Sequence, residues 1–239
     1  MLSPAQVCPP PLVGSGARPY DAILFDLDGT LTDPEVGITA SFRSALDAVG
    51  RSVPADVDLS WVIGPPIREN LGRLGVTAAE LPRAVAAFRR RHLAVGLYEA
   101  TLIPGIAGLL SRLDDAGVRL ALATAKPAAD GAVTLTHFGL AQYFAVIAGN
   151  TERGTLSKAD VVAHALRELG GVDPARVIMV GDRRHDIEGA AANGIAAIGV
   201  GWGFAADGEL AAAGAARVAT TVGELAGLLL APAQLSAGN

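Results

Sequence analysis

Cysteine is almost missing from this chain of 239 residues, and Cys8 is the only one. A single thiol excludes an intrachain disulfide and fits a reducing, cytoplasmic compartment. Lysine is nearly as scarce. The basic residues are almost all arginine, and the only lysines are Lys126 and Lys158, which makes both conspicuous. No apolar run is long enough to span a bilayer, although 51% of the residues are apolar. The expectation is a soluble globular protein with no membrane partner. The net charge of -5 argues against nucleic acid as a partner. No internal repeat is visible. Residues 1–18 carry Pro4, Pro9, Pro10 and Pro11 and have no basic start and no continuous apolar core. They do not read as a secretory signal and are expected to form a flexible tail.

Strand and helix signals alternate along most of what remains. The run from Tyr20 to Asp26 reads as a first, buried strand. Ile38, Phe42, Ala45, Leu46 and Val49 recur at helix spacing until Gly50. Ile67, Leu71 and Leu74 predict a short helix behind Pro65-Pro66, and another begins near Pro82, which suits a first turn. Residues 38–102 thus predict an all-helical insertion without a strand. Beyond Pro104 the expected strands are 119–124, 144–148, 176–181, 195–200 and an edge strand at 217–219. Helices are expected between them, a final one covers 222–230, and a frayed end covers 232–239. Alternation of this kind predicts an α/β fold with a Rossmann-like parallel sheet covered on both faces.

Ligands of open parallel sheets bind beyond the carboxyl ends of the strands. Polar residues collect at those ends here. The first strand delivers Asp26-Leu27-Asp28-Gly29, the second Thr124-Ala125-Lys126, and a later one Gly181-Asp182 with Asp186 a helical turn on. Lys158 opens the helix after the third strand. Two carboxylates at i and i+2 of a strand share a face and repel each other unless a cation or a shared proton intervenes. That suits a hard, oxygen-liganded cation such as magnesium. Each feature alone also has an ordinary reading: an Asp-Gly turn, a threonine cap, a solvated lysine, a turn acid.

Together these residues resemble the four motifs of the haloacid dehalogenase superfamily of phosphohydrolases. Asp26-Leu27-Asp28-Gly29-Thr30 is similar to the first motif, Thr124 to the second, Lys158 to the third, and Gly181-Asp182 with Asp186 to the fourth. The segments Ile63-Gly64-Pro65-Pro66, Pro104-Gly105-Ile106, Thr124-Ala125-Lys126-Pro127 and Gly181 to Ile187 resemble the phosphoglycolate phosphatase-like branch. The resemblance implies a core of residues 19–37 and 103–239 with an inserted type-1 helical cap of residues 38–102. It implies a phosphatase for a small phosphorylated metabolite, with Asp26 as nucleophile, Asp28 as proton carrier and Lys158 as the neutralising cation. Magnesium would be held by Asp26, the backbone carbonyl of Asp28, and Asp182, with Asp186 orienting a bound water or the lysine.

Thr30, Thr124, Ala125 and Lys126, with Gly64 and Arg68 from the cap, are the expected substrate contacts, Arg68 suiting a second anionic group. The segments 33–37 and 102–105 would be the hinges. Arg183 and Arg184 are expected on the surface, His185 as a structural residue, Trp61 and Trp202 in packing, and Arg89-Arg90-Arg91 on a solvated face. Ile103 departs from the polar or aromatic residue common in this branch. Among alternatives of the same fold, Asp28 argues against a dehalogenase. The absence of lysine from residues 38–102 argues against a phosphonate hydrolase. A phosphosugar mutase, a 5'-nucleotidase and a non-catalytic binding protein stay open, as does a monomer or homodimer.

Overall fold

The computed structural model describes residues 18–151 and 154–230. Most of the expected N-terminal tail, with Cys8, and the expected frayed C-terminal end therefore lie outside the described residues. In chain order the elements are β1 (Ala22–Phe25), β2 (Thr32–Asp33), α1 (Glu35–Ala48), α2 (Ile67–Arg73), α3 (Leu81–Ala94), β3 (Thr101–Leu102) and α4 (Ile106–Asp115). They continue with β4 (Arg119–Pro127), α5 (Ala128–His137), β5 (Phe144–Asn150), α6 (Lys158–Leu169), β6 (Val177–Gly181), α7 (Arg184–Ala192) and β7 (Ala196–Val200). The last are α8 (Glu209–Ala212), β8 (Arg217–Ala219) and α9 (Val222–Leu230).

Six strands form one parallel sheet in the order β5-β4-β1-β6-β7-β8. Strand alternation sorts its side chains between two helical layers. Ile23 and Phe25 of β1, Leu120 and Leu122 of β4, and Ile178 and Val180 of β6 pack toward α4 and α9. Ala22, Leu24, Ala121, Ala123, Val177 and Met179 pack toward α6 and α7. Both faces of β1 are buried, which is why its sequence runs apolar without a polar alternation. The chain builds outward from β1 through β4 to β5, then returns to the other side of β1 as β6. A crevice at the carboxyl ends of β4, β1 and β6 follows from that reversal.

Helices α1 to α3 have a separate apolar cluster, built on Phe42, Leu46, Val62, Ile63, Leu71 and Phe88. They leave the sheet layer after β2 and return through β3. These two short strands pair antiparallel, Thr32 with Leu102 and Asp33 with Thr101. The expectation of a strand-free segment over 38–102 is corrected here. A two-residue pairing carries no periodicity of its own and forms only because the chain closes on itself. The first strand also stops at Phe25 rather than Asp26, because the next residues turn. The N–H groups of Thr30, Leu31 and Thr32 all converge on the carbonyl of Leu27.

Where α1 leaves and the chain returns, backbone meets backbone. A Cβ on Gly37 would overlap the carbonyl oxygen of Gly96. Arg91 of α3 crosses the same seam, donating to the Gly37 carbonyl at 3.3 Å and to Glu99 at 3.0 Å. It is therefore not on a solvated face as expected, because a long side chain on α3 can reach back to α1. His92 is buried beside it and stacks on Phe88, with ring centroids 5.3 Å apart. Burial, then the charges of Lys126, Arg89 and Arg91, push its imidazole down from 6.5 to about 3.

Two outcomes test this seam. Gly37→Ala is expected to lose about 1–3 kcal/mol of unfolding free energy in urea. Gly72→Ala, in the interior of α2 with open space around it, is expected to lose nothing. The unfolded chain protonates His92 near pH 6.5 while the folded chain keeps it neutral. Acid therefore destabilises the fold. Between pH 6.5 and 5 the wild type should lose up to about 1.4 kcal/mol per unit more than His92→Gln. Equal slopes in the two proteins would remove the imidazole from this role.

Candidate active site

The acids stand on the loops that leave the central strands. Asp26 follows β1 directly, and its N–H donates to Val180 of β6 at 2.9 Å. Asp182 follows β6, and Asp186 lies in the first turn of α7. Carboxylate oxygens of Asp26, Asp182 and Asp186 lie within 4.8 Å of one another, and all three residues are buried. Two close approaches make room for them. Gly29 adopts φ +83°, and a Cβ there would overlap Asp182. A Cβ on Gly181 would overlap the Asp186 carboxylate.

A lysine reaches into this cluster. Lys158, the first residue of α6, sits 2.8 Å from Asp26 and 2.6 Å from Asp186. A capping box between Ser157 and Asp160 fixes the start of α6 and so the root of that lysine. Burial opposes the charge on Lys158, but Asp186 and Asp26 outweigh it and raise its pKa. Asp182 has no lysine. Burial, then the negative charges of Asp186 and Asp26, hold its carboxyl well above the usual carboxylate range. Burial also raises Asp186, to about 6, against the pull of Lys158. The Oδ1 atom of Asp182 is buried without a hydrogen-bond partner among the described residues, while Oδ2 accepts from the Phe204 N–H at 2.8 Å. Clustered hard oxygens, excess negative charge and an unpartnered buried carboxylate oxygen fit a divalent cation such as magnesium.

Asp28 belongs to a different pair. The chain has already turned, and its carboxylate meets Lys126 at 3.0 Å rather than the cluster. The expectation that Asp26 and Asp28 point along one strand face is thereby corrected, since neither lies in the strand. The two lysines of the chain thus serve the two acids of the first motif, one each. The Thr124 hydroxyl accepts from the Lys126 N–H at 3.2 Å, and Ala125 is exposed beside them. Thr30 is fully buried, its carbonyl accepting from the Trp202 indole at 3.2 Å. Gly64, in the loop before α2, and Arg68, on α2, are exposed. Trp61 lies under Arg73, 4.2 Å from its guanidinium.

Arg183 differs from its expected surface place. Its N–H donates to Asp186 at 3.0 Å, and its guanidinium is mostly covered, donating to the carbonyl of Ile63 and to Glu209. Arg184 is exposed as expected, and His185 is half-buried 3.9 Å from Glu188. Glu209 and Phe204 were missed altogether. The available signal was Gly201-Trp202-Gly203-Phe204, a glycine-rich turn leaving β7 at the same sheet edge.

A family profile described as haloacid dehalogenase-like hydrolase matches residues 23–200. The tyrosine-protein kinase PtkA of Mycobacterium tuberculosis is 46% identical over 183 residues, covering 76% of this chain and 62% of that protein. The chain thus spans about three fifths of the length of the mycobacterial relatives that it matches. A solved structure of that kinase superposes with a TM-score of 0.78 at 41% identity, covering 88% of this chain and 98% of that one. A 5'-nucleotidase of Pseudomonas aeruginosa is 39% identical, covering 81% of this chain and 88% of that protein. A phosphoglycolate phosphatase of Cupriavidus necator is 33% identical, covering 91% and 96%.

The charge balance predicts opposite effects of two substitutions on the metal-free protein. Lys158→Met strands two buried carboxylates and should cost about 3–5 kcal/mol in chemical denaturation. Asp182→Asn relieves like-charge crowding and should stabilise. A destabilised Asp182→Asn protein would contradict this account of the cluster.

Proposed function

The chain belongs to the haloacid dehalogenase-like hydrolases, and on that footing we propose a magnesium-dependent phosphatase that cleaves a small phosphate monoester through an aspartyl-phosphate on Asp26. The observation that carries this reading is the buried carboxylate cluster with Lys158 against Asp26. Asp26 and Asp182, with the backbone carbonyl of Asp28, would hold the ion. When bound it supplies positive charge that lets an anionic phosphoryl group approach a carboxylate.

In the first half-reaction an oxygen of Asp26 attacks phosphorus and the ester P–O bond breaks. Asp28 gives a proton to the departing oxygen. In the second half-reaction water attacks phosphorus, Asp28 takes its proton, and inorganic phosphate leaves with Asp26 restored. Lys126, 3.0 Å from Asp28, keeps that carboxylate oriented. Lys158 offsets charge on Asp26 and on the transferring group, and Asp186 orients the lysine at 2.6 Å. The Thr124 hydroxyl and neighbouring N–H groups hold phosphate oxygens.

Helices α1 to α3 act as a cap inserted between β2 and β3, and the substrate enters beneath it. The exposed Arg68 on α2 suits a second anionic group, as on 2-phosphoglycolate. The phosphoglycolate phosphatase relative supports that choice, and the nucleotidase relative supports nucleoside monophosphates as a second. A monomer or homodimer acting in the cytoplasm fits this chemistry. No helix among the described residues is long and apolar enough to cross a membrane.

The test is phosphate release from a panel of monoesters, with and without magnesium. Asp26→Asn should lose activity by on the order of 10³-fold or more. Arg68→Ala should raise KM for 2-phosphoglycolate far more than for p-nitrophenyl phosphate. Equal turnover by wild type and Asp26→Asn would sink the assignment. Transfer of phosphate to a protein tyrosine without release of inorganic phosphate would favour the activity named for the mycobacterial relative.

A further inference from the structure

Two residues other than the acids and lysines of the site have one end on the carboxylate cluster and the other on the cap. The N–H of Phe204 donates to Asp182 at 2.8 Å, the one hydrogen bond that this carboxylate makes among the described residues. The ring of Phe204 packs against the apolar cluster of α1 to α3, whose other members all lie between residues 38 and 88. Arg183 repeats the arrangement. Its N–H donates to Asp186 at 3.0 Å, and its guanidinium donates to Ile63 in the loop before α2. Gly64, at φ +104°, has no side chain to obstruct that guanidinium, and a Cβ there would sit 2.8 Å from it. Glu209 braces the assembly. It accepts from the Arg183 side chain at 3.0 Å, from the Arg184 N–H at 2.9 Å and from the Ala206 N–H at 3.1 Å.

We propose that Phe204 and Arg183 are positioning residues that couple docking of the cap to assembly of the ion site. While the cap is docked, the Phe204 ring has an apolar seat and the Arg183 fork has its carbonyl. Both backbone N–H groups then stay aimed at Asp182 and Asp186. When the cap leaves, both anchors are lost, and the loop from Gly201 to Ala206 no longer holds the Asp182 carboxylate. Linkage runs both ways. Whatever seats Asp182 also draws the cap down, so ion binding favours the closed arrangement. The ion itself touches neither side chain. This inference rests on the reading that Asp26 and Asp182 hold a divalent ion.

The experiment uses the full chain with Mg2+ alone as the probe. Calorimetry gives the affinity of the wild type, Phe204→Ala, Arg183→Ala, Phe204→Leu and Glu209→Gln, with thermal unfolding recorded without the ion. Hydrogen exchange at Ile63, Gly64, Ile67 and Arg68 is followed with and without Mg2+. Phe204→Ala and Arg183→Ala should each bind the ion about 5-fold or more weakly. Phe204→Leu, which keeps an apolar side chain, should retain most of the affinity. Glu209→Gln, which leaves the apolar contact alone, should weaken it less. Mg2+ should slow exchange at the four amides in the wild type and lose that effect in Phe204→Ala. Undiminished affinity in Phe204→Ala and Arg183→Ala, or exchange indifferent to Mg2+ in the wild type, overturns the coupling. A wild type that binds no Mg2+ overturns the ion reading, and the coupling with it.

Discussion

Three carboxylates buried within reach of one another cannot all stay charged without compensation, and the arrangement of the site follows from that constraint. Lys158 answers two of them directly. Among the described residues the third, Asp182, has a single backbone hydrogen bond and an oxygen without a partner. A cluster that is incomplete by one positive charge is a poor structural core but a suitable seat for a divalent ion. The cost of holding it together is spread over the fold. Glycines at 29 and 181 let backbone pass close to carboxylates, a capping box anchors the lysine, and a parallel sheet places all the loops at one edge.

The two lysines divide the work of the first motif. Asp26 pairs with Lys158 within the cluster, while Asp28 pairs with Lys126. That separation suits two carboxylates with different chemical duties, one attacking and one carrying protons. Helices α1 to α3, in turn, join the rest of the fold through more than β2 and β3. Arg183 and Phe204 join them to the loops that carry Asp182 and Asp186.

Much of the architecture could be read along the chain. Strands buried on both faces are written as apolar runs, and helices α1, α4 and α6 keep their apolar residues at helix spacing, so 217–219 and 222–230 were found at their observed bounds. Short elements without periodicity were not legible. β3, two residues long, exists because β2 lies opposite it, and α8 spans a single turn. The arginines show the same limit. Arg91 and Arg183 read as solvated because a charged residue in a polar stretch has no pattern that reveals its partner. Their partners, Gly37 and Ile63, lie far away in sequence.

Residue types and spacing were enough to read the fold class and the sheet edge at which Asp26, Asp182 and Lys158 gather. These follow from local rules: period, breaker residues and the position of polar residues at strand ends. Which lysine meets which acid, that Thr30 is fully buried, and that Phe204 joins an apolar cluster far from it in sequence were decided by folding alone. Such pairings depend on where loops land once the sheet is assembled, and no local pattern encodes the distance between residues brought together only by the closed chain.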